Sequence, residues 1–230
     1  MIVVPLGGAI RRWLAVVCGA ALLIVTIHWG LAHETAPVGG TPPGVLRAVA
    51  VRSGAVALTF PVPQGTRGVT AAIAALAAAR APATFFAGSR YARSHPGHIR
   101  ALLRAGQEVE ALAPPGGTPP CDAIRPLEAA GAQPIFLQLR GSPLPPAGLR
   151  RAALRCGLQP VAWTAAAGAQ AAAAGARPGD IVRLPLDAAV AEQLPALLRT
   201  LRTRGYTPLT LDALVALGQG GAATGSRGLT

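Results

Sequence analysis

The feature that most limits the folds open to this chain is an alternation. Between residues 45 and 217, short runs rich in Val, Ile, Phe and Thr take turns with longer Ala- and Leu-rich stretches whose apolar residues recur at three and four residue spacing. The short runs, at 45–51, 55–60, 83–87, 108–112, 134–139, 160–163, 181–184 and 207–209, read as strands. The clearest long stretches, at 69–80, 98–105, 123–130, 147–156 and 188–204, read as helices. Four of them run directly into a glycine, at Gly106, Gly131, Gly157 and Gly205, where a left-handed residue ends a helix before the next strand. Such rotation of strand and helix produces an α/β fold, a parallel sheet or barrel with helices outside, and concentrates function in the loops that follow the strands.

The flanks of this region read differently. Residues 13–32 form an uncharged, mostly aliphatic run, which as a helix spans about 30 Å, the thickness of a bilayer core. Arg11 and Arg12 precede it while His33 and Glu34 follow, so the positive-inside rule leaves residues 1–12 in the cytoplasm and exports everything after residue 32. Gly30 and Ala32 offer a signal-peptidase site, but the apolar run exceeds a usual signal core, and a retained single-pass anchor is the expectation. His28 sits near the outer interface and needs no intramembrane role. Residues 33–44, HETAPVGGTPPG, read as an extended linker, and residues 218–230 as a disordered tail. The folded domain is then 45–217.

The net charge of +12 invites a nucleic-acid reading that the residues do not support. All 21 basic residues are Arg and none is Lys, as a GC-rich coding bias would produce, and they are scattered. The densest group, Arg150, Arg151 and Arg155, has no interleaved aromatics for base stacking. A diffuse attraction to anionic polymers is all that this charge implies.

Within the folded region the segments VALTF (56–60), APATFFAGSR (from Ala81), AGQEVE (from Ala105), PIFLQLRG (from Pro134), PVAW (from Pro160), RPGDIVRL (from Arg177) and LRTRGYTPLTLDAL (from Leu201) follow one another in a recognisable order. In that order and spacing the chain resembles the polysaccharide deacetylase family, the NodB homology domain, over nearly all of 45–217, and looks most like its membrane-anchored, sporulation-type members. The resemblance implies a distorted seven-stranded β/α barrel whose enzymes deacetylate N-acetylated cell-wall sugars with one divalent metal. Such a metal needs imidazole and carboxylate ligands with an open position for water, and a neighbouring carboxylate must take the water's proton.

At the positions where the family carries those groups, this chain does not. The two Asp that follow Thr-Phe correspond to Pro61 and Val62, after Thr59 and Phe60. The two metal-binding His fall on Leu112 and Gly116. The Arg-Pro-Pro-Tyr-Gly loop maps to Leu137, Gln138, Leu139, Arg140 and Gly141, and the His of the last motif to Pro185, with Asp187 as a displaced match for its Asp. The metal positions Val62, Leu112 and Gly116 and the catalytic positions Pro61, Val62, Leu137 and Pro185 are therefore degenerate, and no metal cofactor is expected.

Other constellations are weak. His95 and His98 are three apart and could clamp a metal, but Pro96 and Gly97 between them suit a surface helix cap. Glu108 and Glu110 face the same side of one strand; the bland reading, a solvated or barrel-end pair, outweighs acid catalysis. Ser89, Ser94 and Ser142 lack a nucleophile elbow. Cys121 and Cys156 would sit at opposite ends of a barrel, which argues against a disulfide, and Cys18 lies in the apolar span without a lipobox.

These readings point to a bacterial membrane protein with an extracytoplasmic, catalytically inactive deacetylase-like domain that binds a cell-wall glycan or an envelope protein, and not nucleic acid. The alternatives are an active cell-wall deacetylase with non-family ligands and a purely structural envelope protein. The candidate groove is the mouth formed by Phe60, Leu112, Leu137, Trp163 and Leu184, and the substituted positions Pro61, Val62, Leu112, Leu137 and Pro185 are expected to pack as a closed apolar plug.

Overall fold

The computed structural model describes residues 44–62, 67–113, 120–142, 144–166 and 168–225. Its strands are β1 (Ala55–Pro61), β2 (Thr84–Ala87), β3 (Glu108–Ala113), β4 (Phe136–Leu139), β5 (Gln159–Pro160), β6 (Ala165–Ala166), β7 (Ile181–Arg183) and β8 (Thr207–Leu209). Between and after them lie α1 (Arg67–Ala79), α2 (Ser89–Ser94), α3 (Pro96–Arg104), α4 (Pro120–Ala129), α5 (Ala147–Arg155), α6 (Ala169–Gly175), α7 (Ala188–Thr203) and α8 (Leu211–Gly225). The strands form one parallel sheet in the order β5-β4-β3-β2-β1-β7-β6, with β8 pairing β1 beside this path. Ala57 of β1 pairs with Ile181 on one edge and Leu209 on the other, so β8 lies on the β2 side, below the point where β2 begins at Thr59.

The sheet is curled but open, and the expected seven-stranded barrel appears as eight strands whose ends, β5 and β6, are not paired with each other. Residues 45–51 are not a regular strand. They make two isolated bridges, Leu46 to Val161 and Ala48 to Asp180, so this segment spans the gap between β5 and the start of β7. Val49 lies so close to Gly179 (φ +81°) that any Cβ there would collide with the Val49 carbonyl, whose own amide donates to the Gly179 carbonyl.

Alternation along each strand separates two cores. Val56, Leu58, Phe60, Phe85, Val109, Leu137, Val182 and Leu184 point outward, into the layer beneath the helices. Ala55, Ala57, Phe86, Leu112, Phe136, Val161, Trp163 and Ile181 point inward, and Leu211 and Leu214 of α8 close that inner core from the N-terminal end of the strands.

Two expectations are corrected here. The tail expected from Gly218 is helical to Gly225. Gly218 packs against Val49, with a would-be Cβ 2.3 Å from its Cγ1, so this glycine marks a close approach of α8 to the 45–51 segment. Cys121 and Cys156 are joined in a disulfide, with Cα atoms 5.2 Å apart. The first turn of α4 therefore lies beside the end of α5, contrary to the opposite-ends expectation. Among the described residues no helix is long and apolar enough to cross a membrane; the span expected at 13–32 and all of the linker expected at 33–44 except Gly44 lie outside them.

Candidate functional site

The inner residues at the C-terminal ends of the strands define the mouth. Thr59, fully buried, donates from Oγ1 to the Val182 carbonyl at 3.2 Å and fixes β1 against β7. Next around the curl come Pro61, then Leu112, which stands in register with Gln138 on β4. Trp163 follows β5, and Arg183 ends β7, its Cζ 4.4 Å from the centre of the Trp163 ring. Arg140, just past β4, donates from Nη2 to the Val62 carbonyl at 3.1 Å, so its side chain reaches across β3 and β2 to the end of β1.

The electrostatics of this mouth are cationic. Burial, and then the neighbouring charge of Arg140, lower the Arg183 pKa from its ordinary value. Among the described residues the one ion pair joins Arg125 to Asp122 at 3.5 Å on an exposed helix face. Gln138 is fully buried with neither Nε2 nor Oε1 hydrogen-bonded, and Arg183 Nε is buried without a partner. Such unpartnered groups are uncommon in a folded interior.

The five residues of the expected groove do not share one face. Leu112 and Trp163 line the inner mouth, whereas Phe60, Leu137 and Leu184 face the helix layer, because strand residues alternate. The expected plug is likewise split. Val62 and Leu137 are buried in the outer core, Leu112 is buried in the inner one, Pro61 is half-buried and Pro185 is exposed. Gly116 lies outside the described residues. Gln138, Arg140 and Arg183 were missed as a group, although each is a polar residue in or at the end of an apolar strand, FLQL and IVR.

The metal that the resemblance implies does not suit these residues: Pro61, Val62 and Leu112 offer no side-chain donor, and two guanidiniums repel a cation. His95 and His98 do not supply a site elsewhere in the mouth. They flank the start of α3, stacked on each other at 5.4 Å, with the His98 Nδ1 on the buried Tyr91 hydroxyl at 2.8 Å. Burial pushes the Tyr91 phenol up to about 12.

The glutamate pair is at the opposite end, with Glu110 buried and Glu108 half-buried. Glu108 Oε2 accepts from Thr84 Oγ1 at 2.6 Å and from the Leu211 amide at 2.8 Å, so it caps α8 from a neighbouring strand. Glu110, 2% exposed, accepts from the Ile135 and Phe136 amides at 2.9 and 2.7 Å. Burial, followed by the charge of Glu108, pushes the Glu110 carboxyl up to about 9, and burial also raises Glu108. Both groups serve the base of the fold, remote from the loops where this architecture does chemistry.

No protein-family model matches the sequence, and no curated protein matches it. Solved structures do match, and they show that the domain has the fold of the family 4 carbohydrate esterases, the polysaccharide deacetylases. One similar structure is BA3943, a CE4 family pseudoenzyme from Bacillus anthracis, with TM-score 0.67 and 19% identity over 76% of this chain and 69% of that one. A BA3943 mutant, a pseudoenzyme with restored enzymatic activity, superposes equally well (TM-score 0.67, 18% identity, 76% and 72% covered). The peptidoglycan deacetylase PdaC from Bacillus subtilis, as its D285S mutant, matches with TM-score 0.62 and 16% identity over 78% of this chain and 98% of that one.

Proposed function

We propose that this chain is a membrane-anchored, extracytoplasmic protein whose deacetylase-fold domain has lost catalysis and serves as a glycan-binding or interaction module of the bacterial envelope. The observation that carries the reading is the identity of residues at the strand ends: Pro61, Val62, Leu112 and Pro185 stand where the resemblance implies the acids and imidazoles that metal-assisted deacetylation needs, and the inward polar residues beside them are Gln138 and Arg183. A fold keeps its scaffold while its site changes, and function follows the site. The Cys121–Cys156 disulfide supports export, since such bonds persist in oxidising compartments. So does the apolar run at 13–32 behind its Arg pair.

The test is an acetate-release assay on the full chain in nonionic detergent, with Zn²⁺ added, against N-acetylglucosamine oligomers and peptidoglycan. Release indistinguishable from the buffer control is expected, and turnover that a chelator abolishes would overturn the inactive reading. A five-site variant, Pro61→Asp, Val62→Asp, Leu112→His, Gly116→His and Pro185→His, should melt lower than the parent and gain little activity. The reason is that Val62 and Leu112 are buried in different layers, so the new side chains do not converge on one metal.

A further inference from the structure

We propose that the mouth of the curled sheet binds the carboxylate of an acidic sugar, gripped by Arg183 and Arg140 above Gln138. This rests on the reading of the domain as a glycan-binding module and names the chemistry of that module's ligand.

The charge balance points to an anion. Arg140 and Arg183 are brought together from opposite sides of the curl, and like charges so placed are destabilising unless something neutralises them. No carboxylate of the described residues is paired with Arg140 or Arg183, and Glu128, Glu192 and Asp212 are exposed on α4, α7 and α8. Glu108 and Glu110 lie at the base, Asp122 pairs with Arg125, Asp180 accepts from the Arg177 amide, and Asp187 caps α7 through the Val190 amide. Residues 63–66 and 114–119, with sequences PQGT and PPGGTP, contain no acid. Where the deacetylase resemblance implies carboxylates around a cation, this chain offers cations without carboxylates.

The unpartnered atoms specify the ligand further. Arg183 Nε and Gln138 Nε2 are donors that need an acceptor, while Gln138 Oε1 needs a donor. A sugar acid supplies both, a planar carboxylate matching the guanidinium fork and a hydroxyl beside it. A phosphodiester supplies only acceptors and leaves Gln138 Oε1 unsatisfied. Trp163, beneath the Arg183 guanidinium, fixes the plane in which that fork is presented.

The experiment is calorimetric titration of the full chain in nonionic detergent with four probes: a hexuronate disaccharide, the same disaccharide reduced to its neutral sugar, an N-acetylglucosamine oligomer and inorganic phosphate. The hexuronate is expected to bind about tenfold tighter than its neutral counterpart, the scale of one hydrogen bond to a charged group. Arg183→Gln should remove that preference, Arg183→Lys should restore only part of it, and Gln138→Leu should weaken the hexuronate several-fold. Arg151→Gln combined with Arg155→Gln, a charge change away from the mouth, should leave it intact, and the melting temperature of each variant shows that it is folded. Equal binding of acidic and neutral sugars overturns this inference and leaves the glycan-binding reading standing. Phosphate competing as well as the hexuronate, or a loss of binding that follows total charge rather than Arg183, overturns it too. Absence of binding by all the sugars overturns both.

Discussion

At the scale of single residues the most consequential group outside the mouth is Glu110. Its carboxyl is held at a pKa of about 9, against an ordinary 4.5, because burial disfavours its charge and Glu108 adds repulsion. For an acid raised in this way the folded state prefers the proton, so its stability contribution is full below the unfolded pKa and is lost as pH rises through the folded one. The window is therefore from about 4.5 to about 9, with a cost approaching 1.4 kcal/mol for each unit of pH inside it. Glu110→Gln keeps an oxygen for the Ile135 and Phe136 amides and offers its NH₂ to Glu108. The parent's melting temperature should fall as pH is raised from about 5.5 to about 8.5, while the variant, in which the raised Glu108 still titrates, should fall less steeply and exceed the parent at the alkaline end. Parallel falls in the two proteins would show that another group titrates.

At the scale of elements, α7 shows how packing overrides local preference. Asp187 caps it, accepting from the Val190 amide at 2.8 Å, and Val190, Ala191, Leu194, Leu197, Leu198 and Leu201 bury one continuous stripe. Pro195 sits inside on the exposed face, where it removes an amide that would bond to the Ala191 carbonyl. The stripe holds the helix together across that gap. Pro195→Ala should stabilise the domain by roughly 1 to 3 kcal/mol, read as a higher urea midpoint at unchanged slope. A lower midpoint would mean that a bend at Pro195 is needed for the fit against α1. The same contest decides what the sequence reveals. Strands such as AVALTFP are legible as short apolar runs buried on both faces, and helices such as α7 because burial on one side writes a period into them. By contrast α6, AQAAAAG, has no polar face to contrast with, and the end of α8 is Gly-rich, so neither carries a period to read. At the site, counting from motif to motif found the strand ends but not their faces. The lone polar residues in FLQL and IVR were the available signal, since a polar side chain on a buried strand must have somewhere to point.

For the whole molecule the decisive bond is Cys121–Cys156. It ties the helix before β4 to the helix after it, closing 35 residues of sequence separation around the strand that carries Gln138. The sequence argued against it because barrel convention stands every helix along its strand, and helix tilt is set by packing that no local pattern records. A loop of this length lowers the entropy of the unfolded chain by about 4 kcal/mol at 25 °C on the chain-entropy account. A contribution of that size is a large share of a domain stability of about 5 to 15 kcal/mol. Cys121→Ser with Cys156→Ser, or reduction of the parent, should therefore lower the melting temperature by roughly 10 °C for a domain of this size. Free-thiol titration of the unreduced parent under denaturant should count Cys18 alone. Two additional reactive thiols, or a double variant that melts with the parent, would remove the bond from the account of stability and with it one support for an oxidising location.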